Sequence, residues 1–163
     1  MSDARTIAEL VIDADSLPPG SPEMVHERRV AIFDILEEND FALVDGPEGP
    51  YRIDLAMVER RLQLSVAHID GAPIKDIMVS MASFRRVIRD YFMICESYHN
   101  AIRTAMPAQI EAIDMGRRGL HNEGSRMLTD ALRQTAEIDF QTSRRMFTLI
   151  CALHRRPKRD VMT

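Results

Sequence analysis

The pattern of apolar and polar positions changes its period near residue 83. Before that point Leu62, Leu64 and Val66 alternate with polar or small side chains, which predicts a half-buried strand. Segments 6–12, 41–44, 51–55 and 74–80 have a similar strand-forming character, and the Asp70-Gly71 pair predicts a tight turn before the last of them. We therefore expect the N-terminal half to form a small, mainly antiparallel sheet.

One helix is predicted inside this strand-rich half. Ser21 as N-cap, Pro22 at the first helical position and Glu23 in the first turn begin it, and it is expected to end near Asn39. Its expected buried face comprises Val25, Arg29, Ile32, Phe33 and Leu36, with Val30 as a further candidate.

After residue 83 the apolar positions follow a helical period and predict three helices. The first has a wide apolar stripe, formed by Phe84, Val87, Ile88, Tyr91, Phe92, Cys95, Tyr98 and Ile102. The second covers 107–132, with Pro107 in its first turn and a stripe at Ile110, Ile113, Leu120, Met127, Leu128 and Leu132. The third is capped by Asp139 and runs from Phe140 to about His154, after a short edge strand near 135–138.

These elements predict an α+β fold in which the sheet packs against an N-terminal helix and a C-terminal three-helix layer. We expect residues 1–154 to form one domain and residues 155–163 to form a basic tail. Within the long helix, Gly116, Gly119 and Gly124 each cost up to about 1 kcal/mol relative to Ala. We expect each of them to let another group approach the backbone.

Composition narrows the class of protein. The longest apolar runs fall well short of the roughly 20 residues that a membrane span requires, and the N-terminus has no secretory pattern, so a cytoplasmic location is expected. Cys95 and Cys151 lie in apolar helical segments, and we expect both to be reduced and buried.

The formal net charge of -4 conceals two halves of opposite sign. Residues 1–80 carry 7 basic and 16 acidic side chains, whereas residues 81–163 carry 14 basic and 9 acidic ones. Such an asymmetry suits a homodimer, which we expect, or a basic surface that meets an acidic protein or a phosphate-bearing ligand. Nucleic acid is a less favoured partner, because the excess of basic residues is modest.

The long helix concentrates groups that bind anions or transfer protons. His121 could act as a general acid or base, with Glu123 or Asp114 orienting it or sharing its proton. Arg117, Arg118 and Asn122 could then hold an anionic ligand. The alternative is a structural network of ion pairs between neighbouring turns of the helix, and the sequence leaves both open.

Arginine is used 19 times and lysine twice, and adjacent arginine pairs begin at positions 28, 60, 85, 117, 144 and 155. Arg85, Arg86 and Arg89 lie at the start of a helix, where the macrodipole disfavours them. We expect an acid or a bound anion to compensate them, so Arg85 and Arg86 are further candidates for ligand binding.

No metal site or cofactor is expected from the motifs. Glu96 and His99 have the spacing that di-iron bundles use, but such bundles require two copies of that motif and further carboxylates. There is no zinc-finger spacing, no phosphate loop and no nucleophile elbow. A non-enzymatic regulatory or adaptor protein is therefore the leading interpretation, and a hydrolase or lyase with His121 as acid or base is the alternative.

Several segments together resemble a bacterial family of short uncharacterised proteins. They are HER at 26–28, VAIFD at 30–34, FRR at 84–86, RDYF at 89–92, AIDMGRRGLHNEGS at 112–125 and FTLIC at 147–151. The resemblance covers nearly the whole chain, and its most specific part is the DMGRRGLHNEGS run. It implies a single-domain cytoplasmic protein and supplies no activity.

Overall fold

The computed structural model describes residues 3–155 and confirms an α+β fold. The helices are α1 (Pro22–Glu37), α2 (Arg85–Thr104), α3 (Pro107–Leu132) and α4 (Phe140–His154). The strands are β1 (Ile7–Ile12), β2 (Phe41–Leu43), β3 (Tyr51–Val58), β4 (Arg61–His68), β5 (Pro73–Ser80) and β6 (Ala136–Ile138). Apart from Arg155, the expected basic tail lies outside the described residues.

The main sheet has the strand order β1-β3-β4-β5. Strands β3, β4 and β5 form the predicted antiparallel meander, with Leu64 opposite Leu55 on one side and Ile77 on the other. Strand β1 pairs in parallel with β3, which makes the sheet mixed rather than wholly antiparallel. The alternating side chains Leu62, Leu64 and Val66 are buried as predicted, and they join the hydrophobic core shared with the helices.

Strands β2 and β6 form a separate two-stranded sheet, with Phe41 opposite Ile138 and Leu43 opposite Ala136. The sequence pattern indicated both strands, but it did not indicate that they pair with each other. This pairing connects the segment after α1 to the link between α3 and α4, and it therefore ties the two halves of the chain together.

The predicted buried face of α1 is wrong for most of its residues, although Ile32 is partly buried against the core. The buried side chains are Met24, Arg28, Ala31 and Ile35. Phe33, Val30 and Leu36 are instead 61%, 44% and 37% exposed. The helix packs against β1 and α4 through the stripe that carries the small side chain of Ala31. Apolar residues lie both on this buried stripe and on the exposed stripe beside it. The apolar pattern alone therefore did not identify which of the two is buried.

Other details of the helices agree with the sequence, apart from one end of α2. Ser21 Oγ accepts a hydrogen bond from the Met24 amide (3.2 Å), and Asp139 Oδ1 accepts one from the Thr142 amide (2.8 Å), so both predicted N-caps are confirmed. Ile102, expected on the apolar stripe of α2, is 50% exposed, whereas neighbouring Ala101 is buried. The stripe therefore turns away from the core in the last turns of α2.

Two of the three glycines in α3 permit a close approach. A Cβ atom at Gly124 would overlap the ring of Phe147 on α4, and one at Gly116 would lie 2.7 Å from Ile94 Cδ1 on α2. At Gly119, no heavy atom of another element among residues 3–155 lies within 4 Å of the place where a Cβ atom would stand. The close approach expected at this glycine therefore does not occur. Ile94 Cδ1 is the end of a flexible side chain that can shift, so the packing of α3 depends chiefly on Gly124.

We predict opposite effects for alanine at Gly124 and at Gly119. Gly124→Ala should lower the free energy of unfolding by about 2 to 3 kcal/mol, because the fully buried Phe147 ring has no room to move. Gly119→Ala should raise it by up to about 1 kcal/mol through helix propensity. Urea denaturation of both variants measures the difference, and equal effects would contradict the packing described here.

Candidate functional site

An open cleft of about 450 Å³ lies where α2, α3 and α4 meet. We call it the arginine cleft, and its lining consists of Tyr91, Arg117, Arg118, His121, Gln141, Arg144, Arg145 and Thr148. Four of these side chains are arginines and none is acidic. The cleft is therefore a concentrated region of positive charge on a chain whose net charge is negative.

Arg117 and Arg118 share one carboxylate, that of Asp114. Arg117 Nη2 and Nε lie 2.5 and 3.1 Å from Asp114 Oδ1, and Arg118 Nε lies 3.3 Å from Oδ2. The hydrogen bond from Arg117 is the main cause that holds the pKa of Asp114 below its ordinary value. Asp114 is therefore ionised at neutral pH, and it orients both guanidinium groups while balancing the charge of only one.

The two arginines of α4 are less well compensated. Arg145 Nη2 lies 3.6 Å from Oε2 of Glu38, whose side chain is 82% exposed, so that ion pair is loose and solvated. Within residues 3–155, Arg144 has no ion pair, and its Nε is buried without a hydrogen-bond partner. A buried donor without a partner is costly, so Arg144 is poorly compensated in this structure.

His121 lines the cleft and packs against two aromatic rings that also contact each other. Its ring centroid is 5.4 Å from that of Tyr91 and 5.2 Å from that of Phe147. Thr148 Oγ1 donates its hydrogen to the Arg144 carbonyl (3.1 Å), so it accepts from His121 Nε2 at 2.8 Å. This assignment leaves His121 Nδ1 with a lone pair, and that atom is buried without a partner.

Burial, followed by the positive charges of Arg144 and Arg117, lowers the pKa of His121 to about 4. The imidazole is therefore neutral at physiological pH and does not supply a proton there. A general base works best when its pKa lies near the working pH, and this histidine is far from that condition. Its present role is to hold Thr148 and the rings around it.

The structure brings together part of the predicted site. Arg117, Arg118 and His121 line the cleft, with Asp114 behind the arginines. The remaining candidates, Glu123, Asn122, Arg85 and Arg86, are not in its lining. What the sequence interpretation missed is the contribution of α4, whose only signal was the adjacent pair Arg144-Arg145.

Glu123 has a different partner, at the crossing of α2 and α3. Its Oε1 lies 2.9 Å from Arg86 Nη2, and Arg86 also contacts Asp90 at 3.4 Å. Asp90 contacts Arg89 as well, at 3.5 Å. We expected either acids or a bound anion to compensate the three arginines at the start of α2. Acidic side chains compensate two of them, Arg86 and Arg89.

The remaining reactive groups do not point to another site. Both cysteines are free; Cys151 is buried, Cys95 partly so, and burial raises the pKa of the Cys151 thiol, which makes it a poor nucleophile. Between residues 3 and 155 no three His, Cys, Asp or Glu side chains are grouped to hold a metal ion. In the same range no helix combines the length and apolar character needed to cross a membrane.

The lowered pKa of His121 predicts a specific dependence of stability on pH. The folded value of about 4 lies below the ordinary 6.5, so the unfolded chain binds more protons between these values. This contribution to the free energy of unfolding is complete above pH 6.5 and is lost as the pH falls toward 4, and about 2 kcal/mol of it has been lost at pH 5.

Urea denaturation between pH 7 and 5 tests this dependence in wild type, His121→Gln and His99→Gln. The His121→Gln variant should lose most of the slope, and the variant of exposed His99 should keep it. Hydrogen bonds from arginines lower the pKa values of Asp40 and Asp114. These two carboxylates therefore affect stability only below about pH 4, outside the range of the test. A slope that survives in His121→Gln would contradict a buried neutral imidazole.

Comparison with known proteins places the chain in one family. The model of the uncharacterised protein family UPF0262 matches residues 4–156. A UPF0262 protein of Methylobacterium radiotolerans is 54% identical over 148 residues, covering 91% of this chain and 92% of its own. Relatives from Chelativorans sp. and Jannaschia sp. are 57% and 51% identical, covering 82% and 91% of this chain and 83% and 96% of their own. No solved structure matches the chain. The chain therefore belongs to the UPF0262 family, which confirms the resemblance seen in its sequence.

Proposed function

We propose that the protein is a non-enzymatic regulatory or adaptor protein that binds a phosphate-bearing ligand in the arginine cleft. The observation that carries this proposal is the unbalanced charge of the cleft. Four arginines line it, whereas within residues 3–155 the carboxylates that contact them are those of Asp114 and the exposed Glu38. A bound anion would balance the remaining charge and accept hydrogen bonds from the guanidinium groups that line the cleft.

The chemistry of arginine favours a phosphate over a simple halide. The planar guanidinium donates two parallel hydrogen bonds to an oxyanion, and its charge is permanent. Arg117 and Arg118 on α3 are held in place by Asp114, so little ordering is required of them when the ligand binds. Arg144 and Arg145 approach from α4, so a ligand in the cleft would meet guanidinium groups from both helices.

The alternative, a hydrolase or lyase with His121 as acid or base, has less support. His121 is neutral with a pKa of about 4, and Asp114 is fixed by two arginines. Glu123, the other proposed proton carrier, pairs with Arg86 away from the cleft. Self-association as a homodimer stays a prediction, and light scattering at micromolar concentration is the measurement that tests it.

Isothermal titration calorimetry with pyrophosphate tests the proposed binding. The matched variants are Arg144→Gln, in the cleft, and Arg126→Gln, which removes the same charge from an exposed position of α3 outside it. Loss of one charge-assisted hydrogen bond costs about 1.5 to 3 kcal/mol, so Arg144→Gln should weaken binding by roughly 10-fold or more. Arg126→Gln should change it by less than about twofold. Absence of pyrophosphate binding, or an equal loss in both variants, would contradict the proposal.

A further inference from the structure

A second depression adjoins the arginine cleft. It has a volume of about 300 Å³ and lies between α1, α2 and α4. Tyr91 and Thr148 belong to the walls of both, so the two depressions are neighbours that meet at these side chains. Tyr91 and Thr148 are therefore the side chains that a ligand occupying both depressions would contact.

The second depression is mainly apolar, and we call it the apolar depression. Val30 and Ala31 of α1 face Cys151 and Ala152 of α4 across it, and these side chains contribute no strong hydrogen-bonding group. The thiol of Cys151 stays protonated, because burial raises its pKa. Water against this apolar part of the lining makes few hydrogen bonds, so an apolar ligand group would displace it favourably.

Four acidic or basic side chains also line the apolar depression: His26, Glu27, Asp34 and Arg155. Arg155 Nε lies 2.8 Å from Glu27 Oε2, and its guanidinium lies 5.1 Å from the centre of the Phe92 ring. Asp34 adds a further carboxylate to the lining. A second anionic group would therefore be repelled here, in contrast to the arginine cleft.

From this juxtaposition we infer that the ligand is an amphipathic phosphate monoester. Its phosphate group occupies the arginine cleft, and a short alkyl or aryl group extends past Tyr91 and Thr148 into the apolar depression. The inference rests on the proposed function and adds the class of ligand. Charge complementarity favours this direction of the ligand. Incompletely balanced positive charge lies on one side of Tyr91, whereas Asp34 and the paired Glu27 and Arg155 lie on the other.

The sizes of the two depressions agree with this ligand. Small-molecule sites commonly have volumes of about 300 to 1,000 Å³, mostly apolar walls and a few convergent polar groups that fix orientation. Either depression alone is at the lower end of that range, and together they offer both kinds of wall. A free phosphate would use only the first, and an uncharged apolar molecule only the second.

Calorimetric titration with methyl, butyl and hexyl phosphate tests the inference. Each methylene that enters the apolar depression should increase affinity by about fourfold, because a buried methylene contributes about 0.8 kcal/mol. Butanol and pentanoate are the comparison ligands, the first without the anion and the second with a carboxylate in place of the phosphate. Butanol should bind at least about 10-fold more weakly than butyl phosphate, and pentanoate should bind more weakly than butyl phosphate.

Two matched variants locate the alkyl chain. Val30→Asn places a polar group at the apolar depression, and Val58→Asn makes the same change at a partly exposed position at the end of β3. Val30→Asn should reduce the ratio of hexyl to methyl phosphate affinity by about threefold or more and leave methyl phosphate binding unchanged. Val58→Asn should alter neither. Intermolecular NOEs from the hexyl chain to the methyl groups of Val30 and Ala152 should accompany binding.

The possible results separate this inference from the proposed function. Equal affinities for methyl and hexyl phosphate, both weakened by Arg144→Gln, would overturn the inference and support the phosphate-binding function. A gain with chain length that is unaffected by Val30→Asn would also overturn it, because the chain would lie elsewhere. Pentanoate binding as tightly as butyl phosphate would overturn the assignment of a phosphate. If neither pyrophosphate nor any alkyl phosphate bound, both proposals would fail.

Discussion

The contact between the Phe147 ring and the backbone of α3 at Gly124 sets the distance between α3 and α4. No side chain fits between these groups, and Phe147 is fully buried. The close approach lets Ser143 Oγ of α4 donate to the Ser125 carbonyl of α3 at 2.5 Å. Ser125 Oγ donates within α3 to the His121 carbonyl at 2.7 Å. Small residues and short polar contacts thus hold the two helices together in the core.

The position of the arginines follows from this contact. His121 lies one turn before Gly124 on α3, and it packs against the same Phe147 ring and reaches Thr148 on α4. Arg117 and Arg118 come one further turn back, and Arg144 and Arg145 precede Phe147 on α4. Four guanidinium groups are therefore brought to one cleft by the packing of the helices, although their mutual repulsion opposes that arrangement.

The features that could be predicted from the sequence are those determined by residues close together along the chain. The β-meander followed from the alternation around Leu64, and the N-caps at Ser21 and Asp139 followed from local chemistry. The grouping of Arg117, Arg118 and His121 followed from helical spacing alone. The buried stripe of α1 was not predictable in this way, because larger apolar residues such as Phe33 lie beside the small Ala31 that packing selects.

Contacts between distant segments were beyond such patterns. The pairing of β2 with β6 joins residues nearly 100 positions apart, and neither strand has a feature that identifies its partner. The same limit applies to the cleft, where Arg144 and Arg145 approach from a helix that the site prediction had not included. Likewise, Glu123 is adjacent in sequence to the cleft residues but faces α2, where Arg86 binds it.

Binding of an anion among these arginines, next to His121, can be followed by an NMR pH titration of the His121 imidazole with and without pyrophosphate at equal ionic strength. A pKa of about 4 is expected in the free protein, because burial, Arg144 and Arg117 all disfavour the charged ring. A bound anion would offset the two arginines, so the pKa should rise, although burial would still hold it below the ordinary 6.5. A pKa that stays the same at saturating pyrophosphate would contradict anion binding in the arginine cleft.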